Sequence, residues 1–445
     1  MLNYLWLGLI LLSVILAGVQ GQLPAVTLKA FESSKDAVML IALPLVGTMA
    51  LWLGIMRLAE KSGFIYILAR GLRPLMRWLF PDVPSNHPAV GSMVMNMAAN
   101  MLGLGNAATP LGLKAMQELE KLNPRPGTAT NAMCTFLAIN TSSIQLIPAT
   151  AVSILAVAGS INPTAIIGTS LITSLCSTAA AIIAVKFLEK LPAYRLPPLT
   201  ASQTAVELSH EENVSSDVDT TKSLSRGSVL ILLLFILFFI FAGVKAFTAI
   251  TEWKAIHDLP SRDAAKLFLI TAVQAISVIA IPFFLAFFPL YAALKRVPVY
   301  EEFVEGAKDG FQVAIRIIPY LIAIFIAIGM FRAAGGVANL SQWLGPILTA
   351  LHFPVDLLPL SLIRPLSGSG ATGIFAEIVK AHGPDSLISR MAGTIMGGTE
   401  TTFYVIAVYF GSAAVKRTRH AVPAGLCADM VGIIIAVVVC NIFFA

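Results

Sequence analysis

The chain has 445 residues, 57% of them hydrophobic and only 12% charged, where a soluble domain carries about 25% charged residues. That composition excludes a soluble globular protein and places the chain in a membrane. Its formal net charge of +6 suits cytoplasmic loops facing anionic lipid, and without a basic-aromatic stripe no nucleic-acid partner is expected.

In chain order, apolar runs near the 18 residues needed to span a bilayer occur at about 2–19, 37–56, 164–188, 227–247, 264–294, 311–331 and 422–444. Two further regions, 88–158 and 353–415, are apolar but broken by Gly, Pro, Asn, Ser and Thr. The first run ends in small residues, as a signal peptide does, but lacks the positive start such peptides carry; a retained helix is expected. Cys134, Cys176, Cys427 and Cys440 fall in apolar segments without CxxC or Cys/His spacing, so buried packing is expected and a metal centre is not.

The chain repeats itself. FESSKDAVMLIALPLVGTMALWLGIM (31–56) matches FVEGAKDGFQVAIRIIPYLIAIFIAIGM (303–330), each with Lys-Asp and a mid-helix proline, Pro44 or Pro319. Amphipathic pieces ending in Phe-Pro follow at 70–81 and 341–354, then Gly-rich breaks, NMAANMLGLGNAATPLG and LIRPLSGSGATGIF, then hydroxyl clusters, AINTSSIQLIP and GGTETTFYVIA. The stretch 57–87 carries five basic residues, Arg57, Lys61, Arg70, Arg73 and Arg77, and its counterpart 332–352 only Arg332. Loop 159–164 carries none, whereas KRTRH at 416–420 carries three Lys or Arg. Basic loops stay in the cytoplasm, so the two halves are expected to have inverted topology. The helix at 227–247 then supplies the extra crossing that inversion requires. The polar linker before it cannot bury a core and is expected to be a disordered cytoplasmic loop. The expected fold is an all-α polytopic membrane protein: two inverted-topology repeats (1–191 and 251–445) with discontinuous or re-entrant helices, a polar linker (192–226) and one linking transmembrane helix (227–250). It is expected in the bacterial cytoplasmic membrane, N-terminus inside and C-terminus periplasmic.

ANMLGLGNAATPLGLKAM (99–116) and FLAINTSSIQLIP (136–148) resemble the A member of the spore maturation protein family. PLYAALKRVPVYEEFVEGAKDGF (289–311), IRPLSGSGATGI (363–374) and TETTFYVIAVYFG (399–411) resemble the B member. The resemblance covers nearly the whole chain outside the linker and helix 227–247, as in a natural fusion of the two. It implies kinship with the nucleoside-recognition (Gate) domains, which are similar to parts of concentrative nucleoside transporters and of a ferrous-iron transporter. In spore formers the family is associated with dehydration of the spore core. It implies a protein that moves or binds a small solute. No GxxxxGK[ST] phosphate loop is present, so GTP-driven transport is not supported.

Backbone that leaves the helix cannot face lipid and must line a cavity or be buried in protein. The breaks therefore nominate their polar residues as substrate contacts: Asn100, Asn106, Thr109, Asn140, Thr141, Ser142 and Ser143 in the first half, with Asn96 on the same face as Asn100 and Gln145 in the hydroxyl cluster. In the second half they nominate Arg364, Ser367, Ser369, Thr399, Glu400, Thr401 and Thr402. These groups can hydrogen-bond a polar solute or coordinate Na⁺. An isolated charge at mid-membrane costs about 2.5–3.5 kcal/mol, so Arg364 and Glu400 need partners. They form a structural pair, hold a substrate anion and a coupling cation respectively, or lie at a surface. Asp429, in the last helix, is a coupling-ion candidate or the partner of a nearby cation; Glu377 and Lys380 read as an interfacial pair. Phe403, Tyr404 and Tyr409 either stack on a planar ligand or pack.

A secondary transporter for a small polar, anionic or zwitterionic metabolite is the leading reading, with Na⁺ or H⁺ coupling and no other cofactor. A nucleoside carrier and a non-transporting scaffold or sensor are the alternatives. No catalytic set of Ser/His, paired Asp or HExxH is visible, so an enzyme is not expected. One chain carries both halves and could act as a monomer; a homo-oligomer stays open.

Overall fold

The computed structural model describes residues 2–103, 105–195, 225–250, 261–336, 339, 343 and 353–444. Among them every regular element is helical, and the one extended pairing is a bridge between Thr128 and Arg417. Five helical stretches are long and apolar enough to cross a bilayer: Leu23–Lys61, Ile166–Leu188, Arg226–Ala249, Ile270–Leu294 and Ala421–Phe444. The protein is an all-α, multi-pass membrane protein.

The first half comprises α1 (Leu2–Val19), α2 (Leu23–Asp36), α3 (Leu43–Lys61), α4 (Phe64–Leu79), α5 (Pro88–Met101), α6 (Gly105–Lys121), α7 (Asn131–Asn140), α8 (Ala149–Val157) and α9 (Ile166–Leu188). A peripheral helix, α10 (Arg226–Ile250), precedes α11 (Ser261–Leu294), α12 (Val299–Ala333), α13 (Leu358–Ile363), α14 (Gly368–His382), α15 (Leu387–Gly398), α16 (Thr402–Ser412) and α17 (Ala421–Phe444). Pro44 does not stop its helix. A wide π-turn, Ala37–Ala42, joins α2 to α3, a device that absorbs a missing backbone donor. Pro319 lies inside the unbroken α12.

Two pairs form the frame. Helices α3 and α12 run antiparallel, with Gly54 against Phe303, Gly306 against Leu53 and Gly310 against Ala50. Gly306 and Gly310 make a Gly-x-x-x-Gly stripe. A Cβ on Gly310 would sit 2.6 Å from the Ala50 Cα, so the backbones touch in the manner of small-residue membrane interfaces. Helices α9 and α17 also lie side by side and antiparallel. Arg419, just before α17, donates to the Tyr194 carbonyl beyond the end of α9. At the other end Arg390 lies over the Phe444 ring at 4.7 Å. Loops pair accordingly: Ala129 N–H donates to the Arg417 carbonyl at 3.0 Å, and Ser160 Oγ to Asp385 at 2.7 Å.

Helix α10 has no buried residue among those described; it touches α11 through Phe235 and Phe239 on Phe283. Cys134 and Cys440 are buried, but Cys176 is half-buried and Cys427 exposed, which corrects the expectation of four core thiols. In lipid an outward apolar face is solvated as well as an inward one. Most of 341–354 and of the linker 192–226 lies outside the described residues.

Candidate functional site

Four helix breaks are linked to one another by hydrogen bonds. The first separates α5 from α6, where Gly103 takes φ +72°. The second, 141–148, separates α7 from α8 and ends on Pro148. The third, 364–367, separates α13 from α14 and holds Pro365, with Ser367 capping α14 by accepting from Gly370 N–H. The fourth, 399–401, separates α15 from α16. They form one chain of contacts. Leu146 N–H donates to the Met101 carbonyl at 2.9 Å, tying the first break to the second. Phe403 N–H donates to the Pro365 carbonyl at 2.9 Å, tying the fourth to the third. The second and fourth are joined by Glu400.

Glu400 accepts from the Gln145 amide and from Ser143 Oγ at 3.4 Å. On its other side Arg364 Nη2 stands 3.8 Å from Oε2. The two charged residues differ in setting. Arg364 is 5% exposed and gives its donors to the end of α15: Nε to Thr399 Oγ1 at 3.1 Å, Nη2 to the Met396 carbonyl at 3.0 Å and to the Thr399 carbonyl. Those carbonyls are the orphans of a helix C-terminus, where a cation is favoured. The Glu400 side chain remains 26% exposed.

A second polar set lies beside it. Asn100 Nδ2 donates to Asn140 Oδ1 at 2.8 Å, Tyr409 Oη to the same oxygen at 3.3 Å, and Asn96 Nδ2 to Tyr409 Oη at 3.1 Å and the Ala108 carbonyl at 2.8 Å. Deeper in α17, Asp429 is 1% exposed and accepts from Thr402 Oγ1 at 2.6 Å. Among the described residues its Oδ1 has no hydrogen-bond partner. Thr141 approaches the same turn of α17, its Oγ1 lying 3.2 Å from where a Cβ on Gly425 would stand.

The sequence has counterparts among known proteins. The family described as nucleoside recognition (Gate) matches residues 42–158 and 314–416. Spore maturation protein B of Bacillus subtilis (strain 168) is 40% identical over 172 residues, which is 39% of this chain and 97% of that protein. Spore maturation protein A of the same organism is 43% identical over 183 residues, 41% of this chain and 93% of that protein. The chain belongs to the spore maturation protein A and B family. Each relative aligns over nearly its whole length yet spans under half of this chain, which is long enough to hold one of each. No solved structure matches it.

In this family member the candidates from the sequence divide into three groups. Ser143, Glu400, Arg364 and Thr399 come together, as do Asn100 with Asn140 and Thr402 with Asp429. Thr141 and Ser142 bond the Ala138 carbonyl one turn back, the self-satisfaction usual for hydroxyls in membrane helices. Thr401 is buried beside Gly368, and Ser367 and Ser369 are half-buried. Thr109 is half-buried in α6, and the side chain of Asn106 lies outside those described.

One pairing is corrected. Glu377 does not pair with Lys380: it is buried against Arg332 at 3.1 Å, while Lys380 reaches Asp36. Helical spacing placed the two together, but packing of α14 on α12 and α2 offered each a better partner. Of the two readings left open for Tyr409, packing is the one found: it is 5% exposed and stacks on Phe136 at 6.0 Å. What the sequence reading passed over is α9. Its Thr169, Ser170, Thr173, Ser174, Ser177 and Thr178 are all buried, with Thr169 bonded to Thr394 of α15, Ser177 donating to the Ala428 carbonyl of α17 and Thr178 to the Ser142 carbonyl in the second break. Their recurrence at three- and four-residue intervals was visible as a polar stripe in an otherwise apolar helix. Among the described residues no three His, Cys, Asp or Glu side chains gather as a metal cage would need.

Proposed function

We propose that the chain is a secondary transporter, not an enzyme, that carries a small polar metabolite across the bacterial cytoplasmic membrane. The observation carrying this reading is Glu400. It stands where four broken helices converge, bound to Arg364 of its own half and to Gln145 and Ser143 of the other, with part of its surface open. Broken helices meeting near mid-membrane are the usual solute site of secondary transporters. Arg364 is buried with Nε and Nη2 bonded to Thr399 and the Met396 carbonyl, and Glu400 is the more exposed of the two charges, the one a solute meets first. That favours a zwitterion, which brings an amino group, over a bare anion. Asp429 and Glu400 are the carboxylates available to a coupling Na⁺ or H⁺.

Inverted repeats are part of the proposal. Supporting them, the corresponding helices α3 and α12 run antiparallel, as do α9 and α17. The basic loops around Arg125 and Arg417 share one end, and Ser160 and Asp385 share the other. The N-terminus would then be cytoplasmic and the C-terminus periplasmic. Single cysteines at Leu75 and Thr418 should label from the same side and one at Ile161 from the opposite side; labelling of all three from one side removes the inversion.

The function is tested by solute flux in proteoliposomes under Na⁺ and H⁺ gradients. Amino-acid-like zwitterions should move, and Glu400→Gln should abolish flux with the fold intact. Undiminished flux by that variant would overturn the assignment. A nucleoside carrier is the second reading, supported by the Gate match; competition by uridine or adenosine, with none by zwitterions, would select it.

A further inference from the structure

Helix α4 leaves α3 through Ser62 and Gly63, the latter at φ +77°, and lies against α5. One face, Ile65, Ala69, Met76 and Leu79, is buried. Arg70, Arg73 and Arg77 recur at three- and four-residue intervals, so they share another face, and all three are exposed. Two carboxylates of α12, Glu302 and Asp309, pair with Arg57 instead. Among the described residues no carboxylate lies within ion-pair distance of the three arginines. Arg73, Pro74 and Arg77 line a groove of about 380 Å³. The same helix exposes apolar side chains, Leu75 and Trp78 beside the groove and Tyr66 and Ile67 two turns earlier, Trp78 being 67% exposed. The start of α4 is fixed at the tip of α11, where Phe64 packs edge-on against Phe287, Phe288 and Tyr291, just before Lys295 and Arg296. Tyrosine, tryptophan and basic residues gathered at a bundle end mark the lipid–water boundary.

We propose that α4 lies in the membrane interface and that Arg70, Arg73 and Arg77 bind the phosphate head group of an anionic glycerophospholipid. Guanidinium groups match phosphate oxygens in bidentate geometry, and three cations without acidic partners supply the complementary charge. A free phosphate would satisfy the arginines but leave Leu75 and Trp78 uncovered; acyl chains beside the head group cover them.

The test is a thermal-shift titration of the full chain in uncharged detergent. The probes are phosphatidylglycerol, phosphatidylcholine and inorganic phosphate. Phosphatidylglycerol should raise the Tm of the wild type, and the other two should not. The triple variant Arg70→Gln/Arg73→Gln/Arg77→Gln should need about 100-fold more of the anionic lipid for the same shift, at roughly fivefold per basic residue near an anionic surface. Should the triple variant not purify folded, Arg73→Gln and Arg77→Gln taken singly should each weaken binding about fivefold. Equal response of wild type and variants to phosphatidylglycerol overturns the proposal. So does a shift produced by phosphatidylcholine, or by inorganic phosphate alone.

Discussion

Replacing Arg364 by glutamine removes a buried cation that serves two kinds of acceptor, and their contributions can be separated. The guanidinium makes three hydrogen bonds to the end of α15, through Thr399 Oγ1, the Met396 carbonyl and the Thr399 carbonyl. Hydrogen bonds to a charged group are worth about 1.5–3 kcal/mol each. Neighbouring bonds do not add fully, and an unfolded chain in a bilayer finds partners of its own. A net loss of about 4 kcal/mol is therefore expected. The ion pair is weaker. At 3.8 Å, with the Glu400 side chain 26% exposed, its Coulomb energy is about 4 kcal/mol at an effective dielectric near 20. After desolvation and side-chain ordering about 1 kcal/mol remains. The assay is thermal unfolding of four detergent-purified proteins: wild type, Arg364→Gln, Glu400→Gln and the double variant. Arg364→Gln should lower Tm by roughly 5–10 °C, Glu400→Gln by about 2 °C, and the double variant should match Arg364→Gln. If Glu400→Gln instead restores more than half of the loss, the penalty came from an unpaired carboxylate, and the helix-capping role of Arg364 is refuted.

Gly310→Val should prevent α3 and α12 from closing, since the Cβ would stand 2.6 Å from the Met49 carbonyl and the Ala50 Cα. A loss above about 3 kcal/mol and a broad unfolding transition are expected, with Gly310→Ala intermediate. Tyr409→Phe keeps the stack on Phe136 and removes the hydroxyl between Asn96 and Asn140; stability should fall by about 1 kcal/mol with solute flux retained. Asp385 ties the two loops at one end. Burial raises its pKa, but the Ile161 N–H, the Ser160 hydroxyl and Arg390 outweigh that and hold it below the ordinary carboxylate value. A depressed pKa favours the ionised form in the folded state, so this contribution is present at neutral pH and is lost as pH falls below the usual carboxylate range. Asp385→Asn should flatten that part of the acid stability profile, and an unchanged profile would remove Asp385 from the account.

The membrane class, five of the seven apolar runs as helices long enough to span, and the places where helices break were legible in the sequence because each is a local property. Length of an apolar run, Gly and Pro content, and hydroxyl clusters need no partner to be read. The internal repeat was legible as well, and the cost of a charge in the membrane marked Arg364 and Glu400 as charges in need of compensation. Helix α9 shows where that reading stopped: its hydroxyls looked incidental within an apolar span, and their burial against the second and fourth breaks depended on α15 and α17 packing beside them.

Partner choice was decided only by the tertiary structure. Glu377 and Lys380 stand three residues apart, yet each found its ion pair on another helix. Gln145 and Glu400 are 255 residues apart and share a hydrogen bond. Sequence spacing fixes which side chains share a face of one helix. It does not say which helix covers that face, and in a membrane, where lipid solvates any apolar surface, that choice rests on close contacts such as Gly310 on Ala50 and on the buried polar groups that must be satisfied.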